Sequence, residues 1–255
     1  MKIGLTIIAL LTALIIIALG GIAYQQGHVV PQNYAQVQII EQIKQQAEQG
    51  DPLAQLKLGA LYAFGHGIPQ DFEQTIHWWT KAAEQGETRA QYELGIAYDN
   101  GYGVDQDRAQ AFYWFTQAAE QGLRDAQFEL GIAYDLGHGI PENDAQATHW
   151  YHEAAMQGHH WSQRNLASDL GKLSSIEGCA WALIYNVNAG PKERIEERDH
   201  CGGYRGGYNG SAPIQHAQQR ASELYEEIQA NTASHDALFY EDLEDFEAYI
   251  ATNQP

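Results

Sequence analysis

Histidine is the residue that most invites a chemical reading here, with 11 in a chain of 255 residues. His149 and His152 stand three apart, with His159 and His160 just beyond, and this is the one group with local metal-ligand spacing. No cysteine or carboxylate stands at an offset diagnostic of zinc, so solvated surface histidines are the expectation. His66 and His138 recur at equivalent positions two sequence units apart. Hairpins stacked roughly 10 Å apart would hold them about 20 Å from each other, too far to share an ion. Two carboxylate columns, Glu93 with Glu129 and Asp99 with Asp135, resemble in separation the acid pair of an inverting glycosidase. Any residue repeated at a fixed period makes such a column, so a consequence of the repeat is the preferred reading over a catalytic pair. Nucleophile motifs are absent: no serine precedes a lysine by three, no Gly-x-Ser-x-Gly occurs, and Gly171-Lys172 lacks the rest of a phosphate loop. The expectation is no catalytic residue, no metal and no cofactor.

The elements that would position these groups are set by a repeat of 36 residues. Leu58-Gly59 returns as Leu94-Gly95 and Leu130-Gly131, Tyr62 as Tyr98 and Tyr134, and Gly65-His66-Gly67 as Gly101-Tyr102-Gly103 and Gly137-His138-Gly139. Trp78, Trp114 and Trp150 form another column, as do Gly86, Gly122 and Gly158. A fixed period in this range marks a solenoid, whose units bury their apolar faces only by stacking. The aromatic columns are therefore expected to be packing rather than ligand platforms.

Within a unit the punctuation predicts two helices. Asp51-Pro52 offers a cap followed by proline at the first helical position, and Leu53, Leu56, Leu58, Leu61 and Tyr62 follow on helical spacing. Asp71, Asp107 and Asn143 each precede a glutamine by three, the spacing of a capping box, so a second helix is expected from Phe72 to the glycine at 86. Gly59, Gly95 and Gly131 fall inside first helices, where glycine costs about 1 kcal/mol against alanine. Close approach of a partner helix is the expected compensation.

Taken together, Ala90 to Tyr98, Gly101-Tyr-Gly-Val104, Asp107, Trp114 and Ala118-Ala-Glu-Gln-Gly122 resemble the Sel-one-like repeat (SLR), a relative of the tetratricopeptide repeat. Three copies cover Leu53 to Gly158, with an earlier half-copy at Gln45 to Gly50. The resemblance implies an all-α, right-handed α/α solenoid of about four helical hairpins with helical caps. It further implies a protein-interaction scaffold without chemistry of its own.

The chain divides into an N-terminal segment (1–24), a linker (25–36), the solenoid (37–190) and a C-terminal region (191–255). Ile3 to Ala23 contains no charged residue over 21 positions, enough to cross about 30 Å of hydrocarbon as a helix. It reads as a transmembrane anchor or a signal sequence, and Lys2 places the rest of the chain on the periplasmic side of an inner membrane, tethered or secreted. Cys179 and Cys201, the two cysteines, are expected to pair there. The fourth unit is degraded: Ala167 replaces the glycine, the Gly-x-Gly loop is missing, and Ala180 to Tyr185 keeps the second helix. Ile214, Ala217, Ala221, Leu224 and Ile228 predict a closing helix, and an acidic amphipathic segment follows.

A formal charge of −19 makes nucleic acid an improbable ligand and favours a basic or amphipathic protein or peptide. Positions that packing leaves free on the first helices are Lys57, Glu93 and Glu129, then Ala63, Asp99 and Asp135, on the concave face of the implied solenoid. Lys57, Glu93, Asp99, Glu129 and Asp135 are the candidate partner-binding residues. An immunity or inhibitor protein acting on a toxin is the sharper form of this reading. The alternative is a cell-wall or β-lactam hydrolase of the cysteine-rich repeat type, for which the nucleophile is missing.

Overall fold

The computed structural model describes residues 32–171, 176–188 and 212–239. The expected anchor or signal segment, Cys201, the glycine-rich loop 202–210 and the acidic tail beyond 239 lie outside the described residues. Ten helices are formed within them: α1 Gln32–Glu48, α2 Pro52–Phe64, α3 Phe72–Glu84, α4 Thr88–Asn100, α5 Arg108–Glu120, α6 Arg124–Leu136, α7 Asp144–Met156, α8 His160–Gly171, α9 Ile176–Asn188 and α10 Ala212–Phe239. Each packs on its neighbours in sequence, and α10 lies across α9 and reaches α7. This is an all-α solenoid. Helix α1 starts at Gln32, so the last residues of the expected linker 25–36 are helical. Among the described residues no helix is long and apolar enough to cross a membrane.

The caps fix where each helix begins and ends. Asp51 accepts from the Ala54 amide at 3.1 Å, and Asp71, Asp107 and Asn143 accept from the amides of Gln74, Gln110 and Gln146 at 3.0–3.1 Å. The reciprocal half of the expected capping box is replaced by something else. The backbone N–H of each second-helix cap instead donates to a first-helix tyrosine carbonyl, Tyr62, Tyr98 or Tyr134, at 2.8–3.0 Å. That bond ties the end of one helix to the start of the next, and the glutamine is not needed. Gly65, Gly101 and Gly137 close the first helices at φ near 70°, a conformation that costs a side-chain-bearing residue about 1–2 kcal/mol.

Glycines within the first helices are explained by what lies over them. A Cβ at Gly59 would sit 2.3 Å from the Trp79 ring, at Gly95 2.4 Å from Phe115, and at Gly131 2.4 Å from Tyr151. These buried rings of the paired second helix, changing type from unit to unit, hold the hairpin together. The tryptophan column is different: Trp78, Trp114 and Trp150 are half-buried and pack on the apolar clusters of the preceding unit, joining hairpins.

A polar ladder runs beside this apolar core. Gln55, Gln91, Gln127 and Gln163 are buried on successive first helices and donate to Ala47, Ala83, Ala119 and Ala155 carbonyls of the preceding helix at 3.1–3.3 Å. Each of the first three also accepts, at 2.7 Å, from a glutamine that ends the following helix, Gln85, Gln121 or Gln157. A buried amide satisfied on both sides costs little and fixes the stagger of neighbouring helices. The ladder ends where the repeat does. Counted back from Gly190, the fourth unit carries Ala189 in place of the glutamine, and among the described residues Gln163 Oε1 has no hydrogen-bond partner.

The C-terminal end is sealed by α10. Ala221, Leu224 and Ile228 join Trp181, Ile184, Leu166 and Tyr151 in one buried cluster, and Arg220 pairs with Glu177 on α9 at 2.9 Å. Cys179 is buried and disulfide-bonded.

Candidate functional site

The first helices α2, α4, α6 and α8 present one side of the solenoid in register. Arginine and aspartate occupy the same column on adjacent units, Arg89 and Asp125, and approach to 3.7 Å. Arg89 also pairs with Glu93 one turn along at 2.9 Å and lies over the Tyr92 ring at 5.1 Å. Arg124 stands 3.7 Å from Asp125, and Arg108, at the start of α5, stands 3.7 Å from Asp99. Acid and base alternate across the units, and α4 and α6 are bridged.

Of the residues expected to meet a partner, the structure brings Glu93, Asp99 and Glu129 into this network. Glu93 is only 24% exposed, and Glu129 is likewise half-buried. Neither is the freely solvated position that the repeat pattern suggested, because the neighbouring unit covers what packing within a unit leaves open. Asp99 is more open, and Asp135 is exposed at the far end of α6, within 3.4 Å of the Tyr151 hydroxyl. Lys57 is half-buried on α2.

Burial raises the Glu129 carboxyl to about 7, with the nearby negative charges of Asp99 and Asp125 adding to the effect. Burial and the carboxylates Glu129, Asp125 and Glu93 push the Tyr92 hydroxyl well up. Glu87, capping α4 through the Ala90 amide, is also raised by burial. His159 moves the other way, to about 4, mainly through burial. Its ring lies on Phe128 with centroids 4.4 Å apart, and its Nδ1 accepts from the Ser162 amide at 3.3 Å, which puts the proton of the neutral ring on Nε2.

Two of the clustered histidines differ in this way from the solvated expectation. His159 packs on Phe128 and His160 stacks on Tyr185 at 4.3 Å, while His152 meets Trp181 edge-on at 5.8 Å. Among the described residues no group of three or more histidine, cysteine or acidic side chains could hold a metal ion.

A pH dependence follows. Glu129 keeps its proton to about pH 7 when folded but only to about 4.5 when unfolded, so its contribution to stability falls as pH rises between those values. His159 acts oppositely, its contribution falling as pH drops from about 6.5 to about 4. Glu129→Gln is expected to raise the melting temperature at pH 8 and to lose that advantage by pH 5. A pH-independent difference in thermal melts would contradict this assignment.

The residues missed by sequence reading are Arg89, Tyr92, Asp125 and Phe128. The signal was present: columns Leu53/Arg89/Asp125 and Leu56/Tyr92/Phe128 vary while their neighbours repeat, and one places opposite charges on adjacent units.

The Sel1 repeat family model matches residues 16–36, 52–87, 88–123 and 124–159. The last three matches are the hairpins α2–α3, α4–α5 and α6–α7, and the first overlaps both the end of the uncharged run and the expected linker. The crystal structure of a Sel1 repeat protein from Oxalobacter formigenes is 37% identical, over 49% of this chain and 94% of its own, with a TM-score of 0.47. The protective antigen c5321 of uropathogenic Escherichia coli, which displays an SLR fold, is 31% identical over 75% of this chain and 40% of its own, with a TM-score of 0.58. An immunity protein from Pseudomonas aeruginosa matches at 17% identity over 76% of this chain and 75% of its own, with a TM-score of 0.32, too slight a likeness to bear on a partner. No curated protein matches the chain.

Proposed function

The chain belongs to the Sel1 repeat family, whose members are protein–protein interaction scaffolds, and on that premise we propose that its first-helix face binds a basic or amphipathic protein segment. The observation carrying this reading is the divergence within the repeat. Most residues that pack the hairpins recur through the three full units or exchange one ring for another, whereas the columns Ala63/Asp99/Asp135 and Leu53/Arg89/Asp125 change character from apolar to charged and stand at the surface or in the bridging network. In a solenoid the positions released from packing are the ones available to read a partner. Acidity on that face, in a chain of charge −19, selects for a partner of opposite sign.

An immunity or inhibitor role is one form this binding could take, and it shares the same surface and the same test. The hydrolase alternative has one observation in its favour: Glu129, near pH 7, could donate a proton beside Asp99. Burial is the main cause of that shift, and among the described residues no serine, cysteine or metal site accompanies the pair, so binding is the better-supported function.

The test is capture of partners from cell extract by the immobilised full chain, washed at about 0.1 M and about 1 M salt, across which the screening length shortens from about 10 Å to 3 Å. A specific partner retained at low salt and released at high salt is expected. Retention that is indifferent to salt would contradict the electrostatic part of the proposal.

A further inference from the structure

A cleft of about 380 Å³ opens where the first full hairpin meets the next unit. Its wall is formed by Ala63 and Phe64 at the end of α2, Phe72 and Trp79 on α3, and Glu93 and Ile96 on α4, with Tyr102 at the mouth. Three of these rings are left in solvent: Phe64 is 64% exposed, Phe72 43% and Tyr102 57%. Clustered exposed aromatics around a concavity mark a contact site rather than a folding requirement.

Comparison with the chain's own next unit sharpens this. One period on, Ala63, Phe64, Phe72 and Tyr102 become Asp99, Asn100, Arg108 and His138, while Trp79, Glu93 and Ile96 remain as Phe115, Glu129 and Ile132. The base of the cleft is kept because the fold needs it. The rim turns polar, and Asp99 and Arg108 stand 3.7 Å apart where Ala63 and Phe72 leave an opening. The apolar rim is thus peculiar to one place in the array, and the fold accommodates the polar set equally well.

The polar groups of the wall indicate what enters. Gln70 donates to the Ala63 carbonyl at 2.8 Å, Thr75 to the Asp71 carbonyl at 3.0 Å, and Trp79 Nε1 to the Leu56 carbonyl at 3.2 Å. With these donors spent on the chain itself, the cleft offers contact area and few hydrogen bonds, which suits an apolar group. Charge around it is negative on balance: Asp71 and Glu73 flank Phe72 and Asp105 follows Tyr102, while Glu93 in the wall and Asp99 near the end of the same helix are paired with Arg89 and Arg108.

We propose that this cleft anchors one large apolar side chain, aromatic or long aliphatic, carried on a basic stretch of the partner protein. The proposal deepens the binding reading above and rests on it. The cleft supplies the buried anchor, and the surrounding carboxylates supply attraction to the flanking lysines or arginines.

The experiment is fluorescence anisotropy of the full chain with a fluorescein-labelled peptide, Gly-Ser-Lys-Lys-Ser-Phe-Ser-Lys-Lys-Ser-Gly. Two control peptides replace its phenylalanine by alanine or its lysines by glutamate. Burial of a phenylalanine side chain corresponds to a preference of about tenfold or more over alanine. That preference is expected to vanish in a variant carrying the next unit's rim, Ala63→Asp, Phe64→Asn, Phe72→Arg and Tyr102→His, with its circular dichroism and melting unchanged. The pair Phe64→Asn and Tyr102→His, both at exposed positions, gives the same reading should the fourfold variant fold poorly. Equal binding of the phenylalanine and alanine peptides, no binding of either, or a preference that survives the graft would each overturn the anchor. If both lysine peptides bind equally and the glutamate peptide does not, the anchor falls and the acidic face stands.

Discussion

Gly139→Ala is expected to be among the most destabilising single substitutions in the array, costing about 3 kcal/mol, although it adds one methyl group to an exposed loop. Gly139 has φ of 78°, and a Cβ there would lie 2.4 Å from the Arg108 carbonyl oxygen and 2.6 Å from its carbon. The first effect is conformational, about 1–2 kcal/mol for a left-handed alanine. The second is steric, and it is stiff, because the obstacle is backbone in the first turn of α5 rather than a side chain that can swing aside. The loop of one unit rests directly on the preceding unit, and the methyl group would pry them apart. Gly86→Ala is the control: φ is 89°, but nothing lies within 4 Å of the added atom, so only the conformational part is expected. For a chain of this size each kcal/mol moves the melting temperature by about 2–4 °C. Gly139→Ala should therefore melt about 6–12 °C lower, and Gly86→Ala by about a third to two thirds of that. Equal shifts would mean that the contact with α5 carries no weight.

Gly95→Ala should also destabilise, by about 1–3 kcal/mol, for a different reason. The helical backbone accepts alanine and even prefers it by about 1 kcal/mol, so the loss must come from the Phe115 ring, 2.4 Å from the added atom. A ring can be exchanged, and the chain contains a precedent. In the fourth unit the glycine is Ala167, and the position of the ring, counted back from Gly190, is Leu183, which packs on the same cluster as Ala167. Glycine goes with an aromatic and alanine with leucine. The double variant Gly95→Ala/Phe115→Leu is therefore expected to melt above the sum of its two singles, with a coupling of at least about 1 kcal/mol. Additive losses would show that the two positions do not press on each other.

Much of this architecture is legible from residues alone because the devices are local. Asp71, Asp107 and Asn143 cap as expected, glycine follows each helix of the three full units as expected, and the glycines at 59, 95 and 131 announce a close approach. What escapes is non-local. Gln91 and Gln127 look like surface glutamines, and only the stacking of helices reveals them buried between two partners. Glu93 and Glu129 look free within a unit and are half-buried in the array.

The beginning of the array escapes for a different reason. Gly21, Tyr24, Gly27-His28, Pro31 and Asn33 mirror Gly59, Tyr62, Gly65-His66, Pro69 and Asp71 at an offset of 38 rather than 36, within and beside a run whose lack of charge suggests a membrane. The family match at residues 16–36 rests on this stretch, and α1 is then the second helix of that unit. Residues 16–23 are thereby claimed by both readings, and a helix over the preceding Ile3 to Ile15 spans only about 20 Å.

The central claim is that a partner sits on the first-helix face, and site-specific photo-crosslinking tests it most directly. A photoreactive phenylalanine analogue would be placed singly at Asp99 and Asp135 on first helices, and at Tyr113 and Glu120, both exposed on the second helix α5. Irradiation with the captured partner is predicted to give covalent adducts from positions 99 and 135 and none from 113 and 120. Adducts from Tyr113 and Glu120 with none from Asp99 and Asp135 would place the partner on the opposite side of the solenoid and contradict the account.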